Sequence, residues 1–173
     1  MKDLFKYGLV LGVICAIATG LLAGMNALTQ PRIIAQAAEE LNNSLKEILP
    51  EAASFEAVTR EEKIIYYKAY DSRKNIIGAA FKASAKGYSS TIETLVGMLK
   101  NGQITAIKVI DQNETPGLGS QITDKGFCGQ FSNKGISGLS DIHAITGATI
   151  SSRAVIDSVK QKSQEIGELI KNE

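Results

Sequence analysis

The stretch Thr146-Gly147-Ala148-Thr149-Ile150-Ser151-Ser152 sets two hydroxyls around a Gly-Ala pair, adds two more, and leads straight into an apolar-periodic segment. The small pair leaves a hydroxyl uncrowded at the start of a predicted helix. Backbone N–H groups point outward there, and the helix dipole favours an anion such as a phosphate. Taken alone, such a string more often marks a capped loop, so a binding role and a plain N-cap both stay open. The loop Glu114-Thr115-Pro116-Gly117-Leu118-Gly119 is the second candidate. Its proline fixes a turn, and its glycines let the backbone approach something flat or bulky. A rigid turn without a ligand is the alternative there.

Composition narrows the chemistry these residues could serve. The 173-residue chain carries 19 Lys and Arg against 18 Asp and Glu, so no net field attracts nucleic acid or an acidic substrate. Trp is absent and aromatic residues are few, which weakens a base-stacking function. Cys15 and Cys128 lie far apart in unlike settings, arguing against a disulfide framework or a metal knuckle. With one histidine there is no His-rich metal site, so redox chemistry would have to come from an organic cofactor.

The elements that must position the two candidate loops read as one α+β domain. Residues 63–71 and 75–83 flank the turn Ser72-Arg73-Lys74 and predict a hairpin. Residues 91–99 and 103–110 flank Lys100-Asn101-Gly102, whose Asn-Gly pair predicts a second. Together they imply a mainly antiparallel sheet. A short helix is expected over 120–131, with Ile122, Phe127 and Phe131 inward, and residues 132–140 read as loop. The last helix is expected over 153–170, capped by Ser151 or Ser152, with Val155, Val159, Ile166 and Leu169 as its buried stripe.

Residues 7–31 hold no charged side chain, and residues 9–28 are long enough to cross a hydrocarbon layer, which takes about 20 apolar residues. A cleavable signal peptide would have a shorter apolar region, about 7–15 residues, so an uncleaved anchor is preferred. Lys2 and Lys6 precede the span, whereas Arg32, Glu39 and Glu40 follow it. The positive-inside tendency therefore puts residues 1–6 in the cytoplasm and everything after residue 28 outside. Gly8, Gly12, Gly20 and Gly24 form two small-xxx-small pairs suited to close packing by another membrane helix. Pro31 reads as the first turn of a second, juxtamembrane helix over 29–50. Its residues Ile34, Ala37, Leu41, Leu45 and Ile48 recur at helical spacing, fitting a connector with one face on the domain. The exported domain would then occupy residues 51–173.

An N-terminal span, the Glu114–Gly119 loop and the Thr146-Gly147-Ala148-Thr149 string, in that order, resemble the FMN-binding domain family, and within it the G subunits of the Rnf electron transport complex. The resemblance covers nearly the whole chain. It implies a single-pass protein of the cytoplasmic membrane, with FMN esterified through its phosphate to Thr149 by a separate flavin transferase that uses FAD. Around that bond it implies contacts from Thr146, Gly147, Ala148 and Ser151. On the facing loop it implies a place for Glu114, a hydrogen-bonding role for Thr115, and close ring contact from Gly117, Leu118 and Gly119. The partners implied are the other membrane and iron–sulfur subunits of a complex that passes electrons between ferredoxin and NAD and moves Na+ or H+. The C subunit of the sodium-pumping NADH:quinone reductase, and an exported binding or assembly module without cofactor, are the alternatives. Two departures stand out: Ser89 and Ser90 replace the glycines expected after Gly87-Tyr88, and His143 replaces the Asp expected six residues before Thr149.

Overall fold

The computed structural model describes residues 2–60 and 63–171; Met1, Glu61, Glu62, Asn172 and Glu173, which fall within the expected segments 1–6 and 51–173, lie outside the described residues. The chain forms two compact units, Met1–Asn42 and Asn43–Glu173. Helix α1 (Lys2–Ile48) supplies the first and contributes its last turns to the second. Its 47 residues extend about 70 Å at the α-helical rise, against a hydrocarbon layer of about 30 Å. Its apolar part is long and apolar enough to cross a membrane. Large apolar side chains such as Leu11, Ile17, Leu21 and Leu28 are exposed along it. The hydroxyls of Thr19 and Thr29 donate back to the Cys15 and Met25 carbonyls, leaving neither unsatisfied in an apolar setting.

Pro31 does not open a second helix. It lies inside α1, which runs on without a break. One missing N–H removes a single intrahelical bond, and the long helix-forming segments on both sides carry the helix through it. The expected apolar face of residues 29–50 is only partly used: Ile34 and Ala37 are exposed, whereas Leu45, Ile48 and Leu49 are buried.

In the second unit six strands form one antiparallel meander in the order β1 to β6. They are β1 (Ser54–Arg60), β2 (Lys63–Tyr70), β3 (Ile76–Lys86), β4 (Thr91–Leu99), β5 (Gln103–Asp111) and β6 (Lys134–Gly135). Both expected hairpins form. In the first, the Asp71 carboxylate accepts from the Arg73 and Asn75 amides while Lys74 adopts φ 64°. In the second, Gly102 takes φ +83° and its amide returns to the Leu99 carbonyl. β1 and β6 were not expected. β1 is an edge strand with mostly exposed side chains, so it shows no apolar alternation, and β6 is two residues long.

The sheet is covered on both faces. On one, Phe81, Ile92, Val96, Met98 and Ile104 pack with Val155, Val159 and Ile166 of helix α3 (Thr149–Lys171). On the other, Ala69, Ala80 and Leu95 are buried, and the end of α1 comes down on Gly97. A Cβ on Gly97 would lie 2.6 Å from the Ile48 carbonyl oxygen, which also accepts the Thr105 hydroxyl. Glycine is what lets that backbone lie flat on the sheet.

The helix expected over 120–131 is broken into a 3-10 turn (Gly119–Thr123), the single turn α2 (Lys125–Cys128) and another 3-10 turn (Gly129–Phe131). Gly126 and Gly129 favour the interruptions. The inward residues are nevertheless those expected: Ile122, Phe127 and Phe131 are buried, with the two rings edge-to-face at 5.5 Å. Residues 132–140 contain β6 and part of the 3-10 segment Ile136–Asp141, with Leu139 buried.

Helix α3 begins four residues earlier than expected, so Ser151 and Ser152 lie in its first turn rather than capping it. Its buried stripe ends on Ile170, while Leu169 is 41% exposed. Both positions are neighbours of Ile166 at helical spacing, and the angle at which α3 crosses the sheet selects the later one.

Candidate functional site

Three loops at one edge of the sheet enclose a cleft of about 560 Å³, within the range of small-molecule sites. The first leads into α3. The Ala148 amide bonds to the Ile145 carbonyl, and Gly147 takes φ +83°, a backbone that side chains rarely adopt. A Cβ there would also meet Leu118 Cδ1 at 3.0 Å. This tight turn delivers Thr149 as the first residue of α3, exposed on the cleft wall, above buried Ala148 and Ser151.

The second loop leaves β5 at Glu114. Its Thr115 carbonyl accepts from both the Leu118 and Ser120 amides, folding the Pro116-Gly117 turn back on itself. Gly117 sits at φ +73° with its amide on the Ser120 hydroxyl. Thr115, Leu118 and Gly119 line the cleft beside Glu114. The third loop joins β3 to β4 through Gly87-Tyr88-Ser89-Ser90, closed by the Gly87 amide on the Ser90 carbonyl at 2.7 Å. It places Tyr88 on the remaining wall.

Glu114 ties the three together. Its side chain is buried, and its carboxylate accepts from the Tyr88, Ser89 and Ser90 amides at 3.1, 3.0 and 2.9 Å, and from the Ser151 hydroxyl of α3. Burial alone would push this carboxyl up. The Ser151 hydroxyl and the Ser90, Ser89 and Tyr88 amides outweigh it and hold the group down at about 2, so it is a carboxylate throughout the physiological range. Gly119 packs against it, where a Cβ would stand 2.9 Å from Glu114 Cβ and 3.2 Å from Ser151 Oγ.

Of the residues singled out from sequence, Thr149, Gly147, Ala148, Ser151, Glu114, Thr115, Leu118 and Gly119 line one cleft. Thr146 and Gly117 do not; they shape the turns that present their neighbours. Ser151 turns its hydroxyl to Glu114, and Ser152 bridges the turn by accepting from the Ile145 amide and donating to the Ala148 carbonyl. Tyr88 and Ile150 are cleft residues that sequence reasoning missed. Tyr88 sat in the one segment where attention went to missing glycines. Those serines are accommodated because their backbone amides make the contacts with Glu114. His143 is exposed, and its amide and carbonyl are clasped by the Gln130 side chain. Among the described residues no group of three or more His, Cys, Asp or Glu side chains could hold a metal ion.

All three loops lie within residues 87–164, which match the FMN-binding domain family, and residues 1–48 match the RnfG N-terminal region. Over 172 residues the chain is 37% identical to the G subunit of the ion-translocating oxidoreductase complex of Methanosarcina acetivorans, spanning 91% of this chain and 92% of that protein. The chain belongs to the family of G subunits of ion-translocating oxidoreductase complexes. Another such G subunit, that of the Na+-translocating ferredoxin:NAD+ oxidoreductase complex of Acetobacterium woodii, is 31% identical over 94% of this chain and 91% of its own. The crystal structure of Shewanella oneidensis NqrC shares the fold, with a TM-score of 0.53 at 19% identity over 73% of this chain and 74% of that one. Membership of the G-subunit family accounts for the chain from its apolar helix to α3.

Proposed function

We propose that this chain, as a G subunit, relays electrons in a membrane ferredoxin:NAD oxidoreductase complex that moves Na+ or H+, using FMN esterified to Thr149. One observation carries the cofactor assignment: within the segment matching the FMN-binding domain, an exposed threonine hydroxyl opens a long helix on the wall of a cleft of suitable size. Gly147 and Ala148 leave that hydroxyl open to an approaching transferase. The first-turn amides of α3 have no intrahelical acceptors, which suits a phosphate diester there. The Glu114 carboxylate is engaged by four donor residues and does not compete for those amides. Attachment by a flavin transferase would form the Thr149 Oγ–phosphorus bond while the pyrophosphate of FAD breaks and AMP leaves.

FMN bound at this position supplies a one- or two-electron carrier. The chain's own residues hold it: Thr149 by the ester, Ala148 and Gly119 by close backbone approach, and Leu118 by apolar contact. Because the bond is covalent, an exported domain needs no pool of free flavin to stay loaded. Helix α1 would anchor the domain, with the Lys2 and Lys6 flank inside and the cleft outside. Its glycine pairs offer packing sites for partner membrane subunits, and iron–sulfur subunits would exchange the electrons. The curated relatives favour the G subunit over the quinone reductase C subunit, whose likeness here is one of fold.

Intact-mass measurement of the chain taken from its assembled complex tests the assignment. The wild-type protein is expected to carry one FMN ester and to glow under ultraviolet light after a denaturing gel. Thr149→Ala is expected to lose both signals while keeping its fold. A peptide containing Thr149 with only the mass of its amino acids, from the native complex, would overturn it.

A further inference from the structure

Tyr88 sits at the mouth of the cleft with 68% of its surface exposed, yet the backbone that carries it is fixed. Three successive amides, those of Tyr88, Ser89 and Ser90, converge on the one buried carboxylate of Glu114. Gly87 behind them is buried, and a Cβ there would stand 2.7 Å from Glu114 Oε1. By contrast, the Tyr88 side chain makes no hydrogen bond or ring–ring contact among the described residues. A pinned backbone that presents an aromatic side chain without an internal partner is preorganised for a flat ligand. Leu118, 44% exposed, and Ile150, 58% exposed, line the same cleft, as does Thr149.

We propose that Tyr88 is a ring-contact residue for the flavin, and that Glu114 is the positioning residue that holds it there by anchoring the β3–β4 turn to the first turn of α3. The inference rests on the assignment of FMN to Thr149. An ester at Thr149 fixes only the phosphate end of the cofactor; the isoalloxazine ring at the other end needs its own wall, and Tyr88 supplies an aromatic face. Glu114 connects the two, because the carboxylate that holds the Tyr88 amide also holds Ser151, two residues beyond Thr149. Glutamine in its place would put an NH2 group against donors, since all its neighbours here donate.

The test uses the full-length chain, flavinylated by a co-expressed transferase and purified in detergent. Flavin mass, fluorescence per bound flavin and fluorescence anisotropy are read on wild type, Tyr88→Ala, Tyr88→Phe and Glu114→Gln. Tyr88→Ala is expected to keep the flavin mass, because it leaves Thr149 untouched, while fluorescence rises severalfold and anisotropy falls. Loss of the stacked phenol removes a quencher and frees the ring. Tyr88→Phe is expected to keep the wild-type anisotropy, since a phenyl face still stacks. Glu114→Gln is expected to move both signals in the direction of Tyr88→Ala, with a partial drop in anisotropy. Wild-type fluorescence and anisotropy in a flavin-loaded Tyr88→Ala protein would overturn the ring contact, and the same result in a folded Glu114→Gln protein would overturn the positioning role. Absence of flavin mass from the wild-type chain would instead remove the Thr149 assignment itself. Tyr88 is too exposed for its truncation to threaten folding, so the first comparison stands even if Glu114→Gln fails to fold.

Discussion

Glu114 shows how a charge becomes a structural part at the scale of one residue. Its folded pKa, about 2, lies below the ordinary 4.5, so its contribution to stability is complete above pH 4.5 and is lost as pH falls toward 2. A shift of that size corresponds to about 3 kcal/mol. Urea unfolding of the wild-type domain is expected to weaken over that window, and Glu114→Gln is expected to flatten the dependence there. An equally steep fall in the variant would assign the acid sensitivity elsewhere. Gly119→Ala would drive a Cβ into the same carboxylate and Ser151, with an expected cost of about 1–3 kcal/mol by chemical denaturation. His143→Asp keeps the backbone groups clasped by Gln130, so the flavin mass on the protein is expected to stay the same or rise. A clear loss would give the histidine a positive role. The sequence exposed the loop that carries Glu114 but not its partners: Ser151 is 37 positions away and the serine amides 24 and 25.

At the scale of elements, α3 tests how far periodicity reaches. Ile166 is fully buried against the sheet, and Ile166→Ala is expected to cost about 2–5 kcal/mol in a denaturation curve. Leu169→Ala is expected to stay within about 0.5 kcal/mol, because its side chain points partly to solvent. Equal losses would restore Leu169 to the core stripe. The hairpins were legible because each has a local cause, an Asn-Gly turn or an Asp71 side chain that caps its own turn. The interrupted 119–131 segment kept its inward residues while losing its continuous helix. There the burial pattern is written in the sequence, but its two glycines let the backbone trade helix for 3-10 turns.

For the whole molecule, the length and apolarity of α1 argue for a membrane anchor, and the flanking lysines argue for its direction. Protease added to spheroplasts is expected to digest residues 51–173 and leave α1 in the membrane fraction; full protection until lysis would place the domain inside. The end of α1 also belongs to the domain, through Leu45, Ile48 and Leu49, so cutting the chain at Pro50 would strip one face of the sheet. A fragment starting at Asn43 is therefore expected to unfold at higher denaturant than one starting at Glu51. Equal midpoints would reduce the last turn of α1 to a tether.

Sequence by itself determined the apolar span, the two hairpins, the helix that follows Thr149 and the two loops that matter, because each depends on neighbours within a turn or two of chain. Only the tertiary structure decided that Tyr88 joins those loops, that Ser151 serves Glu114 instead of capping a helix, and that Gly97 admits the end of α1. Those outcomes depend on which distant backbones come within hydrogen-bond or van der Waals reach, and such distances are fixed by the sheet's register and by the way α3 crosses it.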